Sequence, residues 1–213
     1  MSTTFQTVNA SLPLRSDMLA GMQREWDRLS QPGTWWTGEE RVAIAEQARA
    51  AHAGLVAPAT SLSQATVQIA RQIATDAHDI DRNTVDALES EGIGQEAYVE
   101  MVGIIARLTA IDTAVRGMGS DLVPLPTPVS GEPSREVVPS AKRRAAFVPM
   151  VGGSGATNAL SAVPPEDRAQ ADLHGSLYLS YADMGNFGVV KGIPRWQMEL
   201  AAATTSYINH CVF

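Results

Sequence analysis

A single cysteine, Cys211, stands in the whole chain, so no internal disulfide framework can form, and a lone thiol fits a reducing compartment. Long hydrophobic runs are missing as well, and no stretch approaches the length that spans a bilayer. The opening residues, MSTTFQTVNASLPLRSDM, have neither a basic n-region nor an apolar h-region, so a cytoplasmic location is expected. Positive charge is scarce: 16 Lys and Arg face 23 Asp and Glu, for a formal net charge of -7. Such a balance repels phosphate backbones and anionic lipid, which leaves nucleic acid and membranes out of the expected partners. Nor does any run of alternating apolar residues argue for a sheet.

What is there points to helices. With 45% apolar residues over 213 positions, the chain can bury one sizeable core or two small ones. Ala, Glu, Gln and Arg dominate GEERVAIAEQARAAHAG, which predicts a helix over roughly Glu39 to Ala51, stopped near Gly54. Leu62, Ala65, Ile69 and Ile73 recur at three- and four-residue steps, a second amphipathic helix with Ser61 or Ser63 as its cap and Gln64, Gln68 and Gln72 outward. The strongest helix signal runs from Gln95 to Met118, where Tyr98, Val102, Ile105 and Leu108 form a stripe that Val99, Met101, Ile104 and Ile111 widen. Gly119 suits the left-handed residue that closes its last turn.

A proline-rich stretch from Val123 to Pro139 reads as an extended connector rather than packed structure. Beyond the glycine-rich VPMVGGSGATNAL, a shorter helix is expected around Pro165 to Tyr178, and a loop from Ala182 to Gly192 leads to a last helix opened by Pro194. There Trp196, Leu200, Ala203 and Tyr207 make one apolar stripe. Four segments follow: 1–33, an N-terminal segment; 34–122, a first helical module without cysteine; 123–147, the linker; and 148–213, the start of a second module.

Two residues carry candidate chemistry. Glu199 lies about 60° from the apolar stripe on a 3.6-residue helix, so it is expected at the edge of the buried face with a raised pKa. Cys211 follows twelve residues later. A straight helix would hold the pair roughly 18 Å apart, but Thr204, Thr205, Ser206 and Ile208 are weak helix formers and Asn209 is a strong cap. If Asn209 opens a new helix, Cys211 is its second residue, where free amides and the dipole favour a thiolate.

The stretch RWQMELAAATTSYINHC resembles the alkylhydroperoxidase D and carboxymuconolactone decarboxylase superfamily, whose pattern is a glutamate-bearing helix, an asparagine-containing turn, then Cys-x-x-Cys and a histidine. Glu199 and Cys211 match that glutamate and first cysteine in type and spacing. The resemblance implies an all-α fold of two tandem modules, the second incomplete. The first would run from TGEERVAIAEQARAAHAG, with Glu39 or Glu40 in the glutamate position, into the long helix that follows.

The resemblance also implies an antioxidant peroxidase or thiol oxidoreductase. Cys211 would be one member of a redox pair and Glu199 a proton relay, with a hydroperoxide or small disulfide as substrate, an external thiol as reductant, and a homo-oligomeric state. The second reactive residue would fall just after Phe213, so the natural reading frame is expected to continue with cysteine, or with selenocysteine at a UGA codon read as a stop. The alternative is a non-catalytic helical packing or oligomerisation protein with an inert Cys211. A lactone decarboxylase fits the cysteine-glutamate spacing less well.

The remaining polar features read as bland. His52, His78 and His174 lack a second ligand at helical spacing, so no metal is expected, and no cofactor either, since the glycines at 152, 153 and 155 lack the strand and lysine of a phosphate loop. His210 points away from its neighbour Cys211 on any helix. Trp35 and Trp36 are expected to anchor the first helix to the core, and Lys142 to Arg144 to be solvated. An incomplete second module would bare Trp196, Leu200 and Tyr207 and favour self-association.

Overall fold

The computed structural model describes residues 4–208. The fold is all-α. Among the described residues there are α1 (Ser16–Ser30), α2 (Gly38–His52), α3 (Gln64–Thr75), α4 (Arg82–Ser90), α5 (Gln95–Gly117), α6 (Pro164–Leu177) and α7 (Arg195–Ile208). The described residues also form a two-residue antiparallel pair, β1 (Val190–Lys191) and β2 (Ile193–Pro194), turned by Gly192 at φ +80°. No helix among them is long and apolar enough to cross a membrane.

α5 is the axle. It is apolar on most of its circumference, with Met101, Ile104, Ile105, Leu108 and Ile111 all buried, and it touches α1, α2, α3, α4 and α6. Each such fully buried side chain stabilises the fold by about 1.5–3 kcal/mol. Gly119, at φ +71°, turns the chain out of α5 while Ser120 N donates to Val115 O at 3.0 Å.

α2 begins on a capping box. Thr37 Oγ1 accepts from Glu40 N, and the Glu40 carboxylate accepts from Thr37 N at 2.8 Å. α3 is capped by Ser63. Trp36 Nε1 donates to Ala97 O at 2.9 Å, joining the α1–α2 turn to α5, and Trp35 packs against the same core.

α1 lies in the segment that carried no structural expectation. Its Met18, Met22, Trp26 and Leu29 are buried, Phe5 meets the Trp26 ring edge-on at 4.9 Å, and Trp26 Nε1 donates to Pro124 O at 2.9 Å.

The proline-rich stretch is extended, as its composition suggests, but it is docked. Val129 N donates to Ser30 O at 2.8 Å, Ser134 N to Gly33 O at 3.1 Å and Arg135 N to Thr34 O at 2.9 Å, while Val123 is buried. Closely spaced prolines disfavour a helix interior, yet their neighbours' amides still need partners, and the α1–α2 turn supplies them. Arg143, expected in solvent, pairs with Asp86.

α6 packs on α1 and α5, and its Leu173 belongs to the same core as the first-half helices. α7 differs from expectation in which face it buries. Arg195 and Met198 are its buried residues, whereas Trp196 is 65% exposed, Leu200 62% and Tyr207 84%. Arg195 is drawn inward by the carbonyls of the preceding loop, and that rotation turns the apolar stripe outward.

Candidate functional site

The surroundings of Glu199 on the last helix are set by the loop between α6 and α7. Arg195, 6% exposed, donates through Nη1 to Asp183 O at 3.3 Å and through Nη2 to Met184 O at 3.1 Å, and its guanidinium lies 5.7 Å from the Phe187 ring centroid. Its third donor, Nε, bonds Glu199 Oε1 one turn along α7. The Tyr178 hydroxyl, just past the end of α6, donates to the same Oε1 at 2.7 Å.

Glu199 therefore sits at an edge, partly exposed, but its pKa moves opposite to expectation. The Tyr178 and Arg195 hydrogen bonds, with the Arg195 charge, hold the carboxyl below its ordinary value and outweigh the small effect of burial. Burial and the Glu199 carboxylate push the Tyr178 phenol up. The result is an ionised carboxylate with a phenol on one oxygen. It borders a pocket of about 410 Å³ walled by Phe187, Val190, Pro194 and Trp196.

Cys211, with Asn209 and His210, lies outside the described residues. Of the glutamates suggested for the first copy, Glu40 serves in the α2 capping box and Glu39 is exposed beside Ser130 Oγ at 3.0 Å. His174 Nδ1 meets Leu179 O at 2.5 Å between the rings of Tyr178 and Tyr181, and His78 pairs with Asp79 at 3.4 Å. Among the described residues no group of three His, Cys, Asp or Glu is placed to hold a metal.

A second constellation lies deep in the bundle. Glu25 of α1, Arg41 of α2, Glu100 and Arg107 of α5 and Glu166 of α6 are each 3% exposed or less. Arg107 Nε donates to Glu25 Oε1 at 2.6 Å, and Arg107 Nη2 to Glu166 Oε2. Arg41 Nη1 is shared between Glu100 Oε1 and Glu166 Oε1, the latter at 2.9 Å. The other oxygen of Glu100 accepts the amides of Thr34 at 3.0 Å and Trp35 at 2.6 Å.

Gly33 makes this geometry fit, because a Cβ there would overlap the Glu100 carboxylate and Arg41 Nη1. Outside the five, Arg28 bonds Glu25 Oε2 at 3.2 Å and also pairs with Asp172, which Arg24 grips at 2.7 and 2.9 Å.

The carboxylates differ. Burial pushes Glu100 up, the nearby Glu166 adds to it, and Arg41 only partly compensates. Glu166 is as deeply buried, but Arg41 and Arg107 together outweigh that and hold it down. Sequence reasoning missed the cluster. One signal was available: Glu100 and Arg107 stand seven residues apart, two turns and one face, inside an otherwise apolar helix.

No family model, curated protein or solved structure matches this chain.

Proposed function

We propose that the chain is an alkylhydroperoxidase-like thiol redox protein, built on two tandem modules, in which Cys211 is the nucleophile and Glu199 the proton relay. The observation that supports it is the Glu199 carboxylate, kept ionised by Tyr178 and Arg195 on the helix that leads to Cys211.

The chemistry balances with a hydroperoxide and an external thiol. The Cys211 proton passes to the relay, the thiolate sulfur attacks the terminal peroxide oxygen, and the O–O bond breaks as the S–O bond forms. The departing alkoxide takes the proton, giving Cys-SOH and an alcohol. Tyr178 and Arg195 both occupy Oε1, so Oε2 takes the proton, and a carboxylate of low proton affinity returns it readily. One external thiol converts Cys-SOH to a mixed disulfide and water, and a second restores the Cys211 thiol as a disulfide leaves.

The test is a stoichiometric addition of hydroperoxide, followed by trapping of sulfenic acid and mass spectrometry. Wild type is expected to give the Cys211 adduct at least about tenfold faster than Glu199→Gln, a proton-transfer contribution of modest size. Equal rates in both proteins would remove Glu199 from the mechanism, and no adduct in either would remove the redox reading.

A second reading, a non-catalytic packing or oligomerisation protein with an inert Cys211, is favoured by the exposure of Trp196, Leu200 and Tyr207.

A further inference from the structure

Tyr178 reaches Glu199 from a place that helix geometry does not fix. α6 ends at Leu177, and Tyr178 leaves it at φ -128° and ψ -94°, outside the helical region. Contacts to His174, four residues back, hold this corner. Tyr178 N donates to His174 O at 2.9 Å. The two rings meet edge-on with their centroids 5.5 Å apart. His174 Nδ1 lies 2.5 Å from Leu179 O, the carbonyl just after Tyr178. A carbonyl oxygen only accepts, so Nδ1 carries the hydrogen and the imidazole is the donor.

The imidazole is itself supported. The Tyr181 ring packs on it at 5.1 Å between centroids, and the Leu179 side chain beyond is fully buried. The phenol oxygen is the far end of a long side chain, so a small backbone rotation at Tyr178 carries it out of hydrogen-bond range of Glu199.

We propose that His174 is the positioning residue of the Glu199 relay. Through its Nδ1 bond to Leu179 O it sets the direction in which Tyr178 leaves α6, and so puts the phenol on Glu199 Oε1. Arg195 holds the same oxygen from within α7, whereas Tyr178 ties it to α6. The catalytic consequence rests on the redox reading; the placement of the phenol does not.

The test compares two replacements in the full chain. His174→Phe keeps a ring and loses the donor. His174→Asn loses the ring and keeps a donor, because Asn Nδ2 branches from the same carbon as Nδ1. Carboxyl titration is followed by NMR and phenol titration by ultraviolet absorbance, with Glu199→Gln and Tyr178→Phe assigning the two signals. In wild type the Glu199 carboxyl titrates below its ordinary value and the Tyr178 phenol above. Both are expected to move back toward ordinary values in His174→Phe and to stay as in wild type in His174→Asn. A merely structural histidine would lower the melting temperature without moving either titration. Sulfenic acid formation at Cys211 is expected to slow about threefold or more in His174→Phe. The double variant His174→Phe, Tyr178→Phe is expected to be no slower than Tyr178→Phe alone.

Wild-type titrations in folded His174→Phe, or equal shifts in the Phe and Asn variants, would overturn the proposal. Where His174→Phe fails to fold, Tyr181→Ala decides: it removes an exposed ring from the imidazole and is expected to move both titrations part of the way, and unmoved titrations there would also overturn it. Absence of sulfenic acid in every protein would remove the redox reading alone, since the titrations are read without hydroperoxide.

Discussion

Glu166 is the residue through which both buried guanidinium groups are neutralised, one oxygen to Arg41 and the other to Arg107. Replacing it by Gln takes one charged partner from each of two buried guanidinium groups, leaving Arg41 with Glu100 alone and Arg107 with Glu25 alone. Glu166→Gln is therefore expected to lower the urea unfolding free energy by about 3–5 kcal/mol. Gly33→Ala places a methyl group into the Glu100–Arg41 pair and is expected to cost about 1–3 kcal/mol in the same assay.

Asp172 responds to pH. The Arg24 hydrogen bonds, and behind them Arg28, hold its carboxyl down from 3.8 to about 2. Because the folded-state value is the lower one, the stabilisation is in place above pH 3.8 and is lost as pH falls through about 2. Asp172→Asn is thus expected to melt below wild type at neutral pH, with the gap closing over that acid window in a thermal denaturation series.

At the scale of elements, α7 presents its apolar stripe outward, and its inward anchors are Arg195 and Met198. Changing Trp196 or Leu200 to Glu should alter stability by no more than about 0.5 kcal/mol, as for other exposed positions. If the stripe drives self-association, the same substitutions will shift a sedimentation profile toward the monomer.

The reach of sequence reasoning follows from what each element is made of. α5 and α3 were legible because periodic apolar residues and their caps fall where the helices begin and end, and the docked linker was legible as extended from its prolines. α1 hid because Met18, Met22, Trp26 and Leu29, although four, four and three apart, are diluted by Gly21 and charged residues, and Arg15 provides no side-chain cap. α4 hid because nine residues bury only Val85 and Leu88. Glu199 was found from its place on a helix. The direction of its pKa was not, since it depends on Tyr178, distant in sequence and brought near by the loop. The buried cluster draws its charges from four helices, and pairings of that kind leave little local trace.

At the scale of the molecule, two polar centres sit on one helical frame. The inner cluster ties α6 to α1, α2 and α5, and α6 in turn delivers Tyr178 to Glu199. The first centre thus helps to hold the helix whose end places Tyr178 beside Glu199. The redox reading is tested most directly by the rate of Cys211 alkylation against pH, in wild type and in Glu199→Gln. A thiol pKa well below the ordinary value of about 8.5, with a neutral-pH rate that changes severalfold in the variant, is the expected result. A titration near 8.5 that is the same in both proteins would contradict it and favour an inert cysteine on a packing module.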